Sequence, residues 1–480
     1  MTATAARAGA GPPAPVFETD DGMELKIVLI GAGSREFGPA TVADVLLSDV
    51  LCERDLRLTL MDVDASGLAR TMAFAHACAE TLGRRPTLAT TTSLHEALEG
   101  ASYVILSIER GRYFYWSQDF HVPRKLGFRQ IYGENGGPGG LFHALRNMGP
   151  CVEVARVMER ECPGAWLLNY TNPLTKLCEQ LARSSAVTTV GLCHGVFHGM
   201  EQVAELLERP VDELEFEAGG LNHFTWFTSI RDRGTGADLY PELRERERRA
   251  HWLSRWDELA LSRTLFRAFG LYPSPGANHI GEYIGWADGF LASSPLQFFY
   301  DPAELDPWKE GRVPPWIYSL EEGPTGVPLG HPTAEGRLRP GQRALVDPIS
   351  PTPSGELAIP LIEGLTCGVA RRLDAVDIPN RECVPGLSEG AIVEVPAMVD
   401  DTGLAPLEIP ELPEGILAML RPQVSINRLL CEAFEEGSRD KLLQALLLDP
   451  TTPSYRNAVH LVDEMCELQK DVLPELEWHR

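Results

Sequence analysis

The chain has 480 residues, 44% hydrophobic and 23% charged, which are the proportions of an ordinary globular protein rather than of a disordered or fibrous one. Its formal net charge of -25 opposes contact with phosphate-rich partners, so we expect neither nucleic acid nor a membrane surface as a partner. The ten cysteines follow no paired spacing, and no apolar stretch suits a signal sequence or a membrane helix, so we expect reduced thiols in a cytoplasmic protein.

The amino-terminal region predicts a dinucleotide-binding loop. Residues 1–22 are rich in Ala, Gly and Pro and are expected to form a disordered arm. An apolar strand at 25–30 leads directly into a glycine turn, with Gly31 making the turn and Gly33 allowing a pyrophosphate to approach the backbone. The following helix is expected from about Pro39, with its amino end towards the phosphates.

The second strand supports the same prediction. It covers 56–61 and ends in Asp62, the acid expected to bind the adenosine ribose and to favour NAD over NADP. The spacing from the glycines exceeds the usual value of about 20 residues, which we attribute to a lengthened helix and loop at 41–55. We expect Ser34 and Ser107 to complete the NAD site, and a glycine turn with no ligand is the alternative.

Further elements predict a doubly wound parallel sheet. Helices at 65–82 and 93–98 alternate with strands at about 86–90 and 103–108, giving a βαβαβ order. A later strand closes in Asn169-Tyr-Thr-Asn172-Pro, which places two amides at its carboxyl end. These asparagines are either turn formers or ligands of sugar hydroxyls or of the nicotinamide.

Two stretches between and after these strands carry chemistry. The glycine-rich segment 133–140 is expected to be irregular and to serve as a lid or a close backbone approach, with a mobile surface connection as the alternative. The run 189–192 reads as a buried strand that ends in Cys193 and His194, where a parallel sheet meets its ligand. Taken alone, Cys193 could equally be a small buried hydrophobic residue.

Five motifs occur in order along the chain, namely Gly-Ala-Gly-Ser at 31–34, Gly-Pro-Gly-Gly at 137–140, Asn-Tyr-Thr-Asn-Pro at 169–173, Cys-His-Gly at 193–195 and Gly-Leu-Asn-His at 220–223. Together they resemble glycoside hydrolase family four, whose members depend on NAD and a divalent metal. The resemblance implies that Cys193 and His223 are the protein ligands of the metal, usually manganese, and that Asn172 contacts the sugar.

The resemblance also implies a mechanism. NAD oxidises the C3 hydroxyl, a metal bound by O2 and O3 supports loss of the C2 proton, and the glycosidic oxygen leaves by elimination before water adds and the ketone is reduced. Tyr283 matches the family's catalytic base, with Tyr272 as the rival. His194 is our first choice as the acid, ahead of His279 and Glu282.

The substrate predicted from the Cys-His-Gly motif is a non-phosphorylated α-hexuronide, because that motif resembles the uronidase branch. Its carboxylate would need a guanidinium, for which Arg110, Arg112 and Arg146 are candidates; we assign Arg146, Asn169 and Asn172 to substrate binding. A neutral α-galactoside or α-glucoside is the alternative substrate. A simple NAD-dependent sugar dehydrogenase and a non-catalytic NAD-binding sensor are the alternative functions.

We therefore expect an α/β protein of two domains with the active site between them. A Rossmann-like doubly wound NAD-binding domain covers 23–195, and an α+β domain for substrate, metal and oligomer contacts covers 196–480. Within the latter, 301–353 is a Pro- and Gly-rich irregular insertion, and 422–473 carries two amphipathic helices over the substrate side. A homodimer or homotetramer is expected.

Overall fold

A computed structural model describes residues 24–249, 259–290 and 346–479. One twelve-stranded sheet runs through the described residues in the order β3-β2-β1-β4-β5-β6-β10-β11-β7-β8-β9, with β12 paired to β11. The strands are β1 (Leu25–Ile30), β2 (Leu56–Met61), β3 (Thr87–Thr91), β4 (Tyr103–Leu106), β5 (Trp166–Asn169), β6 (Thr188–Gly191), β7 (Leu214–Leu221), β8 (Phe224–Asp232), β9 (Pro273–Ser274), β10 (Arg371–Pro379), β11 (Ile392–Asp400) and β12 (Gly403–Pro406).

Helices cover the sheet and connect its strands. They are α1 (Phe37–Leu47), α2 (Asp49–Cys52), α3 (Ala65–Leu82), α4 (Leu94–Leu98), α5 (Arg112–Lys125), α6 (Gly137–Glu161), α7 (Leu174–Ser184), α8 (Gly195–Leu207), α9 (Tyr240–Arg249), α10 (Ala260–Phe269), α11 (Ala277–Ile280), α12 (Ala358–Cys367), α13 (Glu414–Glu436), α14 (Arg439–Leu448) and α15 (Tyr455–Leu468). Within the described ranges, no helix is both long and apolar enough to cross a bilayer.

The first six strands form the predicted doubly wound half of the sheet. They are parallel throughout, and the strand order changes direction between β1 and β4. At such a switch point the connecting helices leave on opposite faces and open a crevice at the carboxyl ends of the strands. The predicted Rossmann-like fold is confirmed.

The second half of the sheet is antiparallel and continues directly from the first. Strand β10 pairs with β6, and β11, β7, β8 and β9 follow with antiparallel neighbours. The sheet is therefore continuous across the predicted domain boundary at residue 195. This continuity brings the end of β6 close to the hairpin between β7 and β8.

Alternate residues of the buried strands feed two hydrophobic cores on opposite faces of the sheet. Ile27 and Leu29 join the core that includes α1 and α3, whereas Val28 and Ile30 join the core that includes α6 and α7. The second half of α13, with α14 and α15, belongs to the second core, where α13 packs against α6 and α7. The region has three helices rather than the expected two, because Gly437 in the left-handed conformation ends α13 before α14 begins.

The glycine-rich segment also differs from its prediction. It is buried from Gly133 to Gly140, and its second half is the first turn of α6, with Gly136 as the N-cap and Pro138 in the first turn. A Cβ at Gly140 would lie 2.4 Å from the Asn135 carbonyl carbon. The glycines therefore serve a close backbone approach, and neither a mobile surface connection nor a fully irregular loop is observed. Residues 301–345 of the predicted insertion lie outside the described residues.

Candidate active site

The glycine turn after β1 has the conformation required for a nucleotide-binding loop. Gly31 has φ 89°, and a Cβ there would lie 1.8 Å from the Ser107 carbonyl oxygen, so only glycine fits. The Gly33 N–H donates to Asp62 Oδ2 at 2.8 Å, and Ser34 Oγ caps the start of α1. These contacts join the loops after β1, β2 and β4 into one surface.

A cleft of about 2080 Å³ extends from this loop to the junction of the two sheet halves. It is larger than a pocket for one small ligand, about 300–1,000 Å³, and is large enough for a dinucleotide beside a sugar. Nine of the predicted site residues line it, namely Gly31, Gly33, Ser34, Asp62, Ser107, Asn172, Cys193, His194 and His223.

The far end of the cleft brings together the two predicted metal ligands. Cys193 follows β6, and His223 lies in the turn of the β7–β8 hairpin. Cys193 Sγ is 3.5 Å from His223 Nε2, although the residues are 30 positions apart. Sulfur at about 2.3 Å and nitrogen at about 2.1 Å from one zinc ion would be about 3.1–3.6 Å apart, so the pair fits a common first-row metal ion.

A second cluster adjoins this pair. Glu134, His223 and His279 place one ligand atom each within 4.8 Å of one another. The His279 ring meets the His223 ring edge-on at 4.4 Å. Sulfur, imidazole and carboxylate donors are thus gathered at one point of the described structure.

Burial controls the protonation of the two candidate ligands. It raises the pKa of the Cys193 thiol, and the Glu394 carboxylate acts in the same direction. Burial lowers the pKa of His223, together with the charges of His279 and Lys176. The imidazole is therefore in its neutral, metal-binding form, while the thiol needs a cation to release its proton.

Tyr283, the predicted base, lies beside the His223 turn. Its ring stacks on Phe224 with centroids 4.9 Å apart and planes at 7°. Burial raises the pKa of Tyr283, and Glu282 and Glu134 add to that effect. The lowered pKa expected for a catalytic base therefore depends on the positive charge of a bound metal ion.

The candidate acids occupy different positions. His194 lies at the start of α8 and faces Glu356, with Nδ1 3.9 Å from Oε1. His279 lies against His223, at the metal end. Glu282 is fully buried and accepts hydrogen bonds from the backbone N–H groups of Glu134 and Asn135, so it holds the glycine-rich segment rather than facing the cleft.

Two predicted substrate ligands do not lie in the cleft. Arg146 is buried, and its guanidinium pairs with Asp119 at 2.8 Å and donates to Gln469 at 2.9 Å. The side-chain amide of Asn169 is buried within its own turn. Its Nδ2 donates to the Thr171 carbonyl, and its Oδ1 accepts from the Thr171 backbone N–H. The structure therefore places neither residue at the cleft surface, because both side chains bond partners inside the protein.

The other arginine candidates give a mixed result. Arg110 lines the cleft and donates from its guanidinium to the Val472 carbonyl at 3.4 Å. The side chain of Arg112 lies outside the described residues. Asn172 lines the cleft, as expected for a substrate contact, and its carbonyl oxygen accepts a hydrogen bond from Asn147.

Sequence analysis did not single out three acidic residues of the cleft, Glu109, Glu134 and Glu356. Glu109 bonds His143 Nε2 at 2.7 Å, and His143 Nδ1 bonds the Glu134 carbonyl at 2.7 Å. Burial opposes protonation of His143, yet the Glu109 carboxylate raises its pKa overall. A single glutamate within a run of glycines was the available signal for Glu134.

The fold is a Rossmann-like α/β architecture, and its cleft places a thiol–imidazole pair at the other end from a nucleotide-type glycine loop. The model of the family 4 glycosyl hydrolases matches residues 26–209, and that of the family 4 glycosyl hydrolase C-terminal domain matches residues 218–452. The chain belongs to this family and is a glycoside hydrolase.

Relatives with different substrates align over nearly the whole chain. An alpha-glucosidase of Erwinia rhapontici is 31% identical, covering 93% of this chain and 98% of its own. An alpha-galactosidase of Rhizobium meliloti (strain 1021) is 30% identical, covering 94% of this chain and 89% of its own. An alpha-galacturonidase of Lachnoclostridium phytofermentans is 26% identical over 95% and 98%.

Solved structures agree on the fold. A 6-phospho-alpha-glucosidase from gut microorganisms, in complex with NAD and Mn²⁺, superposes with a TM-score of 0.74 at 24% identity, covering 95% of this chain and all of that one. At this identity the likeness establishes the architecture.

Proposed function

We propose that this protein is an NAD- and divalent-metal-dependent α-glycosidase whose substrate is a neutral, non-phosphorylated α-hexoside. The observation that carries the proposal is one continuous cleft with a nucleotide-type glycine loop at one end and the Cys193–His223 pair at the other. The names of the relatives support an α-glycosidase, and the solved relative in complex with NAD and Mn²⁺ supports the cofactors.

The cofactor sites follow from the donors present. Gly31, Gly33, Ser34, Asp62 and Ser107 would hold NAD, since they form the surface after β1, β2 and β4. When bound, NAD supplies reversible hydride transfer at C3 of the sugar, and the divalent metal, which we expect to be Mn²⁺, supplies positive charge beside O2 and O3.

The side chains at the metal end have separate tasks. Cys193 and His223 would hold the metal ion, and Asn172 would bind a sugar hydroxyl. Tyr283 would accept the C2 proton. His194 would donate a proton to the leaving glycosidic oxygen, with Glu356 nearby to orient its ring.

A neutral substrate is favoured by the acidic residues at the metal end of the cleft. Glu134 lies beside His223 and Glu356 faces His194, and these carboxylates would repel the carboxylate of a hexuronide or the phosphate of a phosphorylated sugar. The guanidinium of Arg146 is occupied by Asp119. We therefore propose the substrate that was the alternative in the sequence analysis.

One observation favours an α-hexuronide as the second candidate. Arg110 lines the cleft, and its guanidinium makes a long hydrogen bond to the Val472 carbonyl at 3.4 Å, which a carboxylate, as a stronger acceptor, could replace. The alpha-galacturonidase relative supports the same candidate.

The test compares kcat/KM for para-nitrophenyl α-glucoside and α-galactoside with that for para-nitrophenyl α-galacturonide, with NAD and Mn²⁺ present. We expect a neutral glycoside to be preferred by on the order of a hundredfold, the effect of an uncompensated buried charge. Preference for the galacturonide would overturn the neutral assignment. Stoichiometric accumulation of NADH would favour a sugar dehydrogenase, and no turnover on these glycosides would favour an NAD-binding sensor.

A further inference from the structure

Two buried carboxyl groups lie at the junction of the two sheet halves. Asp377 on β10 and Glu394 on β11 are directly opposite each other in the antiparallel ladder. They are 1% and 2% exposed. In the described part of the chain neither carboxyl group pairs with a lysine, arginine or histidine, which is unusual for buried acids and calls for a physical reason.

The neighbouring strands are shaped to admit this pair. Asp377 is paired with Gly191 on β6, and Glu394 with Gly220 on β7. A Cβ at Gly191 would lie only 2.8 Å from that of Asp377. Gly191, Asp377, Glu394 and Gly220 therefore lie side by side across four neighbouring strands. Gly191 is two residues before Cys193, and Gly220 is three residues before His223.

Hydrogen bonds connect the acid pair to the metal centre. Glu394 Oε1 accepts from Asn222 Nδ2 at 2.9 Å, and Glu394 Oε2 accepts from the Thr225 hydroxyl. Asn222 and Thr225 lie on either side of His223 at the β7–β8 hairpin, and His223 Nε2 is 3.5 Å from Cys193 Sγ. Glu394 therefore holds the turn that carries the candidate imidazole ligand.

Both oxygens of Glu394 are hydrogen-bond acceptors in this buried position, one for Asn222 and one for Thr225. Burial raises the pKa of both Asp377 and Glu394, because two facing buried carboxyl groups are not both readily ionised.

We propose that Glu394 is a positioning residue for the metal centre, which holds Asn222 and Thr225 on either side of His223 and so keeps the His223 imidazole directed towards Cys193 Sγ. The inference rests on the proposed metal-binding role of Cys193 and His223. Partners of this kind, one step removed from the ligands, commonly determine metal affinity about 10- to 100-fold.

The test measures Mn²⁺ and NAD affinities of the full chain by titration calorimetry, without substrate. Glu394→Gln and Asn222→Ala should each weaken Mn²⁺ binding about 10- to 100-fold and leave NAD binding unchanged. With Co²⁺ in place of Mn²⁺, the sulfur-to-metal absorption band should weaken in both variants, a change that lost stability alone would not produce. Asp374→Asn is the matched control, because Asp374 lies on the same strand but pairs with Arg372.

Cys193→Ala separates this inference from the proposed function. If Cys193→Ala loses Mn²⁺ while Glu394→Gln and Asn222→Ala bind it like the wild type, the positioning role is overturned and the metal site stands. If Cys193→Ala retains Mn²⁺ affinity, the metal assignment itself fails. Should Glu394→Gln not fold, as judged by thermal melting, Asn222→Ala decides the inference alone.

Discussion

His223 has a left-handed backbone conformation, which glycine adopts more readily than histidine does. Its φ of 62° is in the left-handed region, where a side chain other than glycine costs on the order of 1 kcal/mol or more. The ring at this position faces Cys193 Sγ and packs edge-on against His279. The strain is therefore explained by what the imidazole contacts rather than by the needs of the turn.

Removing the hydroxyl of Tyr283 tests its role as the base. Tyr283→Phe keeps the ring that stacks on Phe224, so we expect little change in melting temperature or Mn²⁺ affinity. The loss of a general base should lower kcat about 10²- to 10⁴-fold. The measurement is kcat on the preferred para-nitrophenyl glycoside at saturating NAD and Mn²⁺.

The rival tyrosine provides the control. Tyr272 is fully buried, and its hydroxyl donates to Gln202 Oε1 at 3.3 Å, whereas the Tyr283 ring stacks on Phe224, the residue after His223. Tyr272→Phe should therefore retain activity. Wild-type kcat in Tyr283→Phe, or a comparable loss in both variants, would contradict the assignment.

At the scale of elements, the first turn of α6 depends on glycine. Gly140→Ala places a Cβ 2.4 Å from the Asn135 backbone, and we expect it to lower the free energy of unfolding by about 1–3 kcal/mol, as overpacking does. Gly149→Ala lies in the same helix, and outside its chain neighbours and its own helix backbone no atom lies within 4 Å of the new Cβ, so it should lower stability less than Gly140→Ala does. Urea denaturation measures both, and equal effects would refute the close-approach argument.

Helix α7 contributes a buried lysine that makes stability depend on pH. Lys176 Nζ donates to the Asn135 carbonyl at 2.7 Å, and burial lowers the pKa of Lys176 to about 8. Between about pH 8 and its unfolded value near 10.4, the unfolded chain binds a proton that the folded protein has lost, so stability rises with pH. The gain attributable to Lys176 is about 3 kcal/mol and is absent below pH 8.

The difference between wild type and Lys176→Met isolates this contribution, because the lost bond to Asn135 is a constant offset. Free energies of unfolding measured at pH 7.5 and 10 should diverge in favour of the wild type at the higher pH. Parallel values at the two pH values would show that Lys176 keeps its ordinary pKa in the folded protein.

At the scale of the molecule, Arg146 links distant parts of the chain. It lies on α6, pairs with Asp119 on α5, and donates to Gln469 just after α15. Arg146→Met would leave the Asp119 carboxylate buried and unpaired, which should lower stability by about 3–5 kcal/mol. Arg146→Lys should lower stability less and leave the ratio of kcat/KM for galacturonide and neutral glycoside unchanged. A changed ratio would restore Arg146 as a substrate ligand.

Local sequence patterns by themselves determined the parallel half of the fold. The strands at 25–30 and 56–61 and the helix at 65–82 have the predicted bounds, because apolar runs, glycine turns and helix caps act over a few residues. The motifs at Cys193 and His223 likewise predicted that these two residues, 30 positions apart in the chain, would lie together.

Only the tertiary structure decided which polar residues face the cleft. Arg146 and Asn169 matched a ligand pattern, yet their partners lie inside the protein, and in the case of Arg146 one partner is 323 residues away. Glu394 accepts a hydrogen bond from Asn222, the residue before His223, because β11 pairs with β7, a register that no local pattern encodes. The physical reason is that the state of a buried charge depends on the groups that replace its water, and long-range packing chooses those groups.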